Sequence, residues 1–290
     1  MSPEALELLI AGAEALLPIE DAPELPWALA EAVHDAGYLH RWRTGEVTRA
    51  EERAMGFAWD ASIARRGLLS SGATLAATRD ALHYGSGLNL GGGTHHAYRE
   101  HAEGFSFLND VVISAHWARS NRARAERGIG IDRVAVLDLD VHQGNGTASM
   151  LAGQPWALPI SLHGAGNYPF VKEEAGLNVA LPDGTDDTAY LDVLETVAFP
   201  ALRTFAPDLL YVLAGADVLA GDQLGRLALS LAGVRERDRR VNAHARELGV
   251  PTVTVMAGGY HLDPLQTVEA RLNTLREWRA SAEPEGRPAL

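Results

Sequence analysis

Apolar residues recur at three- and four-residue spacing over Pro3–Leu17, Leu25–Ala36, Arg49–Arg66 and Ala73–His83, which predicts a helical opening to the chain. Beyond residue 86 the pattern changes. Gly87–Leu90, Val134–Leu139, Leu158–Leu162, Leu209–Ala214 and Thr252–Met256 are short β-rich runs, largely apolar on both faces, as in strands of a covered parallel sheet. Helical patterns at Phe107–Arg127, Asp187–Phe205 and Val234–Leu248 lie between them. The alternation predicts an α/β chain, with a mostly parallel central sheet covered by helices on both sides in a three-layer α/β/α sandwich. Such sheets bind ligands beyond the carboxyl ends of their strands. No repeat or low-complexity linker interrupts the 290 residues, so residues 1–290 are expected to form one domain, with Ser281–Leu290 a frayed tail.

Composition narrows the choice of partner. Lys and Arg number 25 against 38 Asp and Glu, a net charge of −13, and only Lys172 is a lysine. That balance disfavours nucleic acid, which needs clustered positive charge, and suits small molecules or basic protein tails. The absence of cysteine excludes disulfides, cysteine nucleophiles and thiolate metal sites. No uncharged apolar run approaches the ~18 residues of a membrane span, and the first residues lack a basic signal-peptide region. A cytoplasmic protein without membrane contact is expected.

The polar motifs cluster after the predicted strands. In Asp138-Leu139-Asp140-Val141-His142, alternate residues share a face while the chain is extended, which groups two carboxylates and an imidazole. Buried together they need a cation or a set of backbone N–H donors. Ala214–Asp222 brings two more aspartates. Asp217 can be read as a helix cap or a ligand, and Asp222, on the loop, is the better ligand candidate because it can turn back over the strand ends. Two Asp and one His suit Zn²⁺, Fe²⁺ or Mn²⁺ and leave coordination positions open. The stretch Asn89–Ala97 (NLGGGTHHA) lacks the spacing of either nucleotide-phosphate fingerprint. Beside a metal, its histidines can act as proton acceptors; alone, they read as structural. Tyr260, in Met256–His261, offers a phenol that can hydrogen bond a developing oxyanion, or an aromatic packed in a loop. Asn145-Gly146-Thr147 matches a glycosylation sequon, which carries no weight without a secretory signal.

Taken in order, GGGTHHA, EGFSFLNDVV, VLDLDVHQGNGT, SLHG, AGADVLAGDQLG and MAGGY resemble the histone deacetylase family of the arginase/deacetylase superfamily, from about Val33 to Thr274. The resemblance is closest to the class IV branch and its bacterial relatives. It implies metal ligands Asp140, His142 and Asp222, with Zn²⁺ or Fe²⁺ as the ion. It further implies His96 as the main general base and acid, His95 as its assistant, Tyr260 as the carbonyl-polarising group, Asp138 orienting His95, and Asn145 partnering His96. Phe105, Tyr168, Gly104 and Gly258 would line the substrate channel. Asp138, Asp140, His142, Ser161 and Leu162 would hold a structural K⁺ or Na⁺. The implied reaction is hydrolysis of an acylated amine by metal-activated water, on acyl-lysine in a protein or peptide or on a small acylated amine.

Family members begin with a further strand and a His/Arg-Pro segment ahead of the part resembling AVHDAGYLHRW, where this chain has the helical stretch Pro3–Leu17. Either the true start lies upstream of this sequence, or the first strand and a rim loop are missing; in the second case the exposed sheet edge would need covering, as by a partner chain in a dimer. Two other readings compete. An arginase-type ureohydrolase needs a two-metal cluster with additional aspartates, and a non-catalytic binding module would keep the fold without turnover.

Overall fold

The computed structural model describes residues 3–120 and 130–282. Helices α1 (Pro3–Glu14), α2 (Trp27–Ala30), α3 (Ala36–Thr44), α4 (Arg49–Met55) and α5 (Ala61–Tyr84) precede strand β1 (Ser86–Asn89). Next come α6 (Asp110–Arg119), β2 (Val134–Asp138), α7 (Asn145–Leu151), β3 (Ala157–Gly164) and β4 (Leu177–Leu181). Helix α8 (Asp187–Val193) runs through a π-helical turn (Leu194–Ala198) into α9 (Phe199–Phe205). Strand β5 (Leu209–Leu213), helix α10 (Leu231–Leu248), strand β6 (Thr252–Val255) and helix α11 (Pro264–Ala282) complete the order.

The six strands pair in parallel in the order β1-β6-β5-β2-β3-β4. Alternation along each strand divides the core. Val134, Val136, Leu209, Tyr211, Leu213, Val253 and Val255 pack with Trp42, Leu75 and Val111 on one side. Ala135, Leu137, Leu210 and Val212 pack with Leu194, Leu202, Val234 and Val241 on the other. Each fully buried aliphatic side chain here stabilises the fold by roughly 1.5–3 kcal/mol relative to exposure. The three layers are those the apolar runs predict.

Local chemistry moves several expected boundaries. The helix expected over Arg49–Arg66 is two helices. Thr48 and Glu51 form a capping box that starts α4, and Gly56, at φ +87°, ends it in the left-handed conformation. The Asp60 side chain then accepts from the Ser62 N–H and starts α5. Helix α6 covers Asp110–Arg119 of the expected Phe107–Arg127 helix, and residues 121–127 lie outside the described residues. Of the expected tail, 283–290 also lies outside them, and Ser281 and Ala282 belong to α11.

Strands β1 and β4 are the sheet edges. At the β1 edge, Leu88 and Leu90 join an apolar cluster with Ala13, Leu16, Leu17 and Met256, so the segment after α1 packs there. Among the described residues no helix is long and apolar enough to cross a membrane.

Candidate active site

Five parallel strands deliver the polar motifs to one end of the sheet. The turn after β1 carries His95 and His96, β2 leads into Asp140 and His142, and β3 leads to Tyr168. Strand β5 leads to Asp217, and β6 to Gly258 and Tyr260. Beyond β2 the ladder persists for one more bond, Leu139 N–H to the Leu213 carbonyl at 3.0 Å, which sets the Asp140 and Asp217 loops side by side.

Asp140, His142 and Asp217 are buried, and one potential ligand atom from each lies within 4.8 Å of the others. The Asp140 Oδ1 accepts from the His142 N–H at 2.9 Å and is 3.0 Å from His142 Nδ1, while its Oδ2 accepts from the Gly258 N–H at 2.8 Å. Asp217 Oδ1 accepts from the Val141 N–H at 2.9 Å; its Oδ2 is buried without a hydrogen-bond partner, 3.2 Å from His142 Nδ1. Burial, then the charge of Asp140, push the Asp217 carboxyl up to about 7. Burial works against charge on His142, but hydrogen bonds and the charges of Asp140 and Asp217 push it up to about 10. A proton on His142 therefore stands where a cation is wanted. Gly258 leaves the space free, since a Cβ there would overlap both carboxylates. An orphaned oxygen, an O/N donor set and a glycine-lined gap fit a divalent ion with open coordination positions.

Asp217 joins Asp140 and His142 where the resemblance implies Asp222. Asp222, the implied third ligand, is buried and accepts backbone hydrogen bonds on both oxygens, as Asp140 does. Asp222 Oδ1 accepts from the Leu224 and Gly225 N–H groups, both at 2.9 Å, and Oδ2 from the Tyr260 N–H at 2.6 Å. It closes its own loop and fastens the Tyr260 backbone. Asp217, nearer the end of β5, is the aspartate with an oxygen within 4.8 Å of the Asp140 and His142 donor atoms.

The two adjacent histidines have opposite environments. His95 Nδ1 is 2.7 Å from Asp138 Oδ2 and its Nε2 is 3.8 Å from Asp140 Oδ1. Burial opposes its charge, yet the two carboxylates push it up to about 9. His96 Nδ1 is 2.6 Å from Asn145 Oδ1; burial and the neighbouring His95 hold it well below the usual imidazole range, more than the Asn145 bond can offset. The ring centroids are 4.1 Å apart. One imidazole is thus a cation and the other a neutral base, a division of labour common in acid–base sites. Burial, then Asp140 and Asp217, push the Tyr260 phenol up, so it keeps its proton and can donate.

The glycine turn is filled from within. Gly92 and Gly93 have φ of +78° and +73°, and the N–H groups of Gly93 and Thr94, both at 2.9 Å, with the Thr94 hydroxyl at 2.8 Å, surround the Asp110 carboxylate. It is an anion-binding nest whose anion is the chain's own. The preceding residue, Asn109, caps α6 and donates to the Ala97 carbonyl at 3.2 Å and Thr147 Oγ1 at 3.0 Å, tying the histidine turn to α7. From behind, buried Arg237 donates to the Gly215 carbonyl at 2.8 Å and the Leu139 carbonyl at 3.4 Å, bracing both ligand loops. None of these supports is legible from motif spacing.

At the mouth, Tyr168 stands edge-on to His96 with centroids 5.3 Å apart, and a Cβ on Gly104 would overlap the His96 ring. Phe105, with φ +65°, lies 5.0 Å from Phe57 and 6.4 Å from Tyr260, centroid to centroid. Phe57 was not expected from sequence. Asp138 and Ser161 are register partners on β2 and β3, and the Ser161 hydroxyl is 3.1 Å from His163 Nδ1.

Residues 6–275 match the family model of the histone deacetylase domain. The chain belongs to the histone deacetylase domain family. It shares the arginase/deacetylase fold and is a member of a family of hydrolases. This histone deacetylase domain protein is 32% identical over 271 residues to the histone deacetylase-like amidohydrolase of Pseudomonas aeruginosa, covering 87% of this chain and 68% of that one. It is 34% identical over 192 residues to histone deacetylase 2 of Arabidopsis thaliana, covering 65% of this chain and 48%, about half, of the plant protein. The crystal structure of an acetylpolyamine aminohydrolase from Burkholderia pseudomallei superposes with a TM-score of 0.77 at 26% identity, covering 96% of this chain and 90% of that one.

Proposed function

We propose that this family member is a metal-dependent amidohydrolase that removes acyl groups from acylated amines, with N-ε-acyl-lysine as the substrate class. It works in the cytoplasm as one catalytic domain. The observation that carries the reading is the convergence of Asp140, His142 and Asp217 beside a neutral base, His96, and a protonated phenol, Tyr260. The donor set suits Zn²⁺, with Fe²⁺ the alternative. Bound there, the ion supplies Lewis-acid polarisation and lowers the pKa of water towards about 7.

The chain's own residues supply the rest. His96 takes a proton from the attacking water at Nε2 and returns it to the leaving amine. Tyr260 donates to the acyl oxygen as it gains charge. His95, cationic against Asp138, adds positive potential at the same end of the sheet. Tyr168, Phe105 and Gly104 form the walls along which an aliphatic stem is threaded, and Gly258 leaves the floor open. Asp138, Asp140, His142, Ser161 and Leu162 would hold a structural K⁺ or Na⁺.

A second reading within the class, hydrolysis of acetylpolyamines, is favoured by the acidic cleft beside Tyr168. That cleft, of about 760 Å³, is lined by Glu103, Glu173 and Glu174 with Lys172 the lone base, and it suits a cationic amine chain. Zn²⁺-loaded protein offered acetyl-, octanoyl- and myristoyl-lysine peptides and acetylputrescine, with products weighed by mass spectrometry, separates the two. Faster turnover of a lysine peptide supports the first reading and faster turnover of acetylputrescine the second. No turnover of any of them defeats both.

A further inference from the structure

His96 is useful as a base only in one tautomer. Its Nδ1 faces Asn145, so Nδ1 must carry the proton and leave the Nε2 lone pair free. An aspartate at position 145 would enforce this by itself, because a carboxylate only accepts. Asparagine does not: its side chain presents an oxygen or an NH₂, and the flipped amide would donate to Nδ1 and force the proton onto Nε2.

The residue that removes this ambiguity is Glu103. Its Oε1 accepts from Asn145 Nδ2 at 3.1 Å, and a carboxylate in that place tolerates only the NH₂ end of the amide. The carboxylate is itself held in position. Glu103 exchanges backbone hydrogen bonds with Ser106 at 2.9 and 3.0 Å, and the Gly104 and Phe105 N–H groups are pinned to the Ala54 and Met55 carbonyls at 3.1 and 2.9 Å. The Tyr168 hydroxyl donates to the same Oε1, and His101 Nε2 lies 3.5 Å from Oε2. We infer that Glu103 is a positioning residue: it fixes the orientation of the Asn145 amide and so selects the Nδ1–H tautomer of His96. Glu103, Asn145 and His96 together do what a lone aspartate would do, and through Tyr168 the same carboxylate joins the channel wall to the base.

The kinetic part rests on the amidohydrolase reading, but the tautomer does not, so the two can fail separately. In long-range ¹H–¹⁵N spectra of Zn²⁺-loaded wild-type protein, with the His96 ring identified by its loss in His96→Gln, the Nδ1–H tautomer is expected alone. Observing the Nε2–H form overturns the proposal without any variant. Glu103→Ala should show a mixture of tautomers and a kcat lowered about 10-fold, part of the 10²–10⁴-fold that general acid–base catalysis contributes. Glu103→Gln keeps an acceptor oxygen and should stay closer to wild type. In Glu103→Ala/Asn145→Asp the carboxylate at 145 no longer needs a neighbour, so the single tautomer and most of the kcat should return. A Glu103→Ala protein with wild-type kcat and one tautomer, or a double variant no better than Glu103→Ala, overturns the proposal.

Discussion

Replacing Asp217 with asparagine keeps the shape of the side chain and removes a buried charge. The Oδ1 bond from the Val141 N–H survives, and what changes is the orphaned Oδ2 facing His142. In the metal-free protein the Asp217 carboxyl lies at about 7 against an ordinary 3.8, displaced by burial and by Asp140. A raised folded-state value means that the stability is intact below pH ~4, is lost as the pH climbs towards 7, and is missing in full above it. The displacement corresponds to about 4 kcal/mol at pH 8, shrinking to below about 2 kcal/mol at pH 5. In EDTA, Asp217→Asn should therefore be more stable than wild type by up to about 4 kcal/mol at pH 8, and by less at pH 5. With metal the order should reverse. Removing a hydrogen-bond partner of a ligand weakens metal binding about 10–100-fold, and removing the ligand should exceed that. Urea denaturation with and without Zn²⁺ reads both effects, since a ligand bound only to the folded state adds RT ln(1 + [L]/Kd). A variant that is destabilised in EDTA yet still stabilised by Zn²⁺ as strongly as wild type would refute the reasoning. The companion Asp222→Asn tests the implied third ligand: it should loosen the loop that holds Tyr260 and weaken Zn²⁺ binding as well.

Tyr260→Phe should bind metal normally and lose about 10²–10³-fold in kcat, the usual contribution of an oxyanion donor, as steady-state kinetics would show. Gly258→Ala places a methyl group between two carboxylates, so its Zn²⁺ affinity by competition with a chelator should fall at least about 10-fold. His34 is buried, accepts from the Asn109 N–H at 3.0 Å and pairs with the Tyr98 carbonyl at 2.9 Å; burial holds it down at about 4. A lowered value gives stability that is present above pH ~6.5 and lost as the pH falls through 4, about 3 kcal/mol in all. His34→Gln should flatten the stability profile between pH 4 and 6.5 in denaturation titrations.

The layered fold was legible because strands buried on both faces leave apolar or β-branched runs, and five of the six strands stand out by their β-rich composition, β1 among them despite alternating burial. Strand β4, Leu177–Leu181, did not: an edge strand with half-exposed positions needs no such run. The break between α4 and α5 was hidden because Gly56 and Asp60 interrupt an apolar period without shifting its phase enough to show. At the site, spacing alone could not show that Asp217 stands within 4.8 Å of the Asp140 and His142 donor atoms. The β2–β5 ladder, a contact between segments some 70 residues apart, brings Asp217 beside Asp140. The same holds for Asp110 inside the glycine turn and Glu103 behind Asn145. Each is a polar partner supplied by tertiary structure, and nothing in its own neighbourhood announces it.

We propose that Asp140, His142 and Asp217 form a catalytic metal centre. The most direct test strips the protein with a chelator, removes the chelator, and titrates Zn²⁺ back while acetate release from acetyl-lysine peptide and acetylputrescine is followed. Turnover should be absent at the start, rise with each addition and level off at one ion per chain, with Asp217→Asn flat throughout. Turnover in the stripped protein, or an Asp217→Asn curve that matches wild type, would contradict the account.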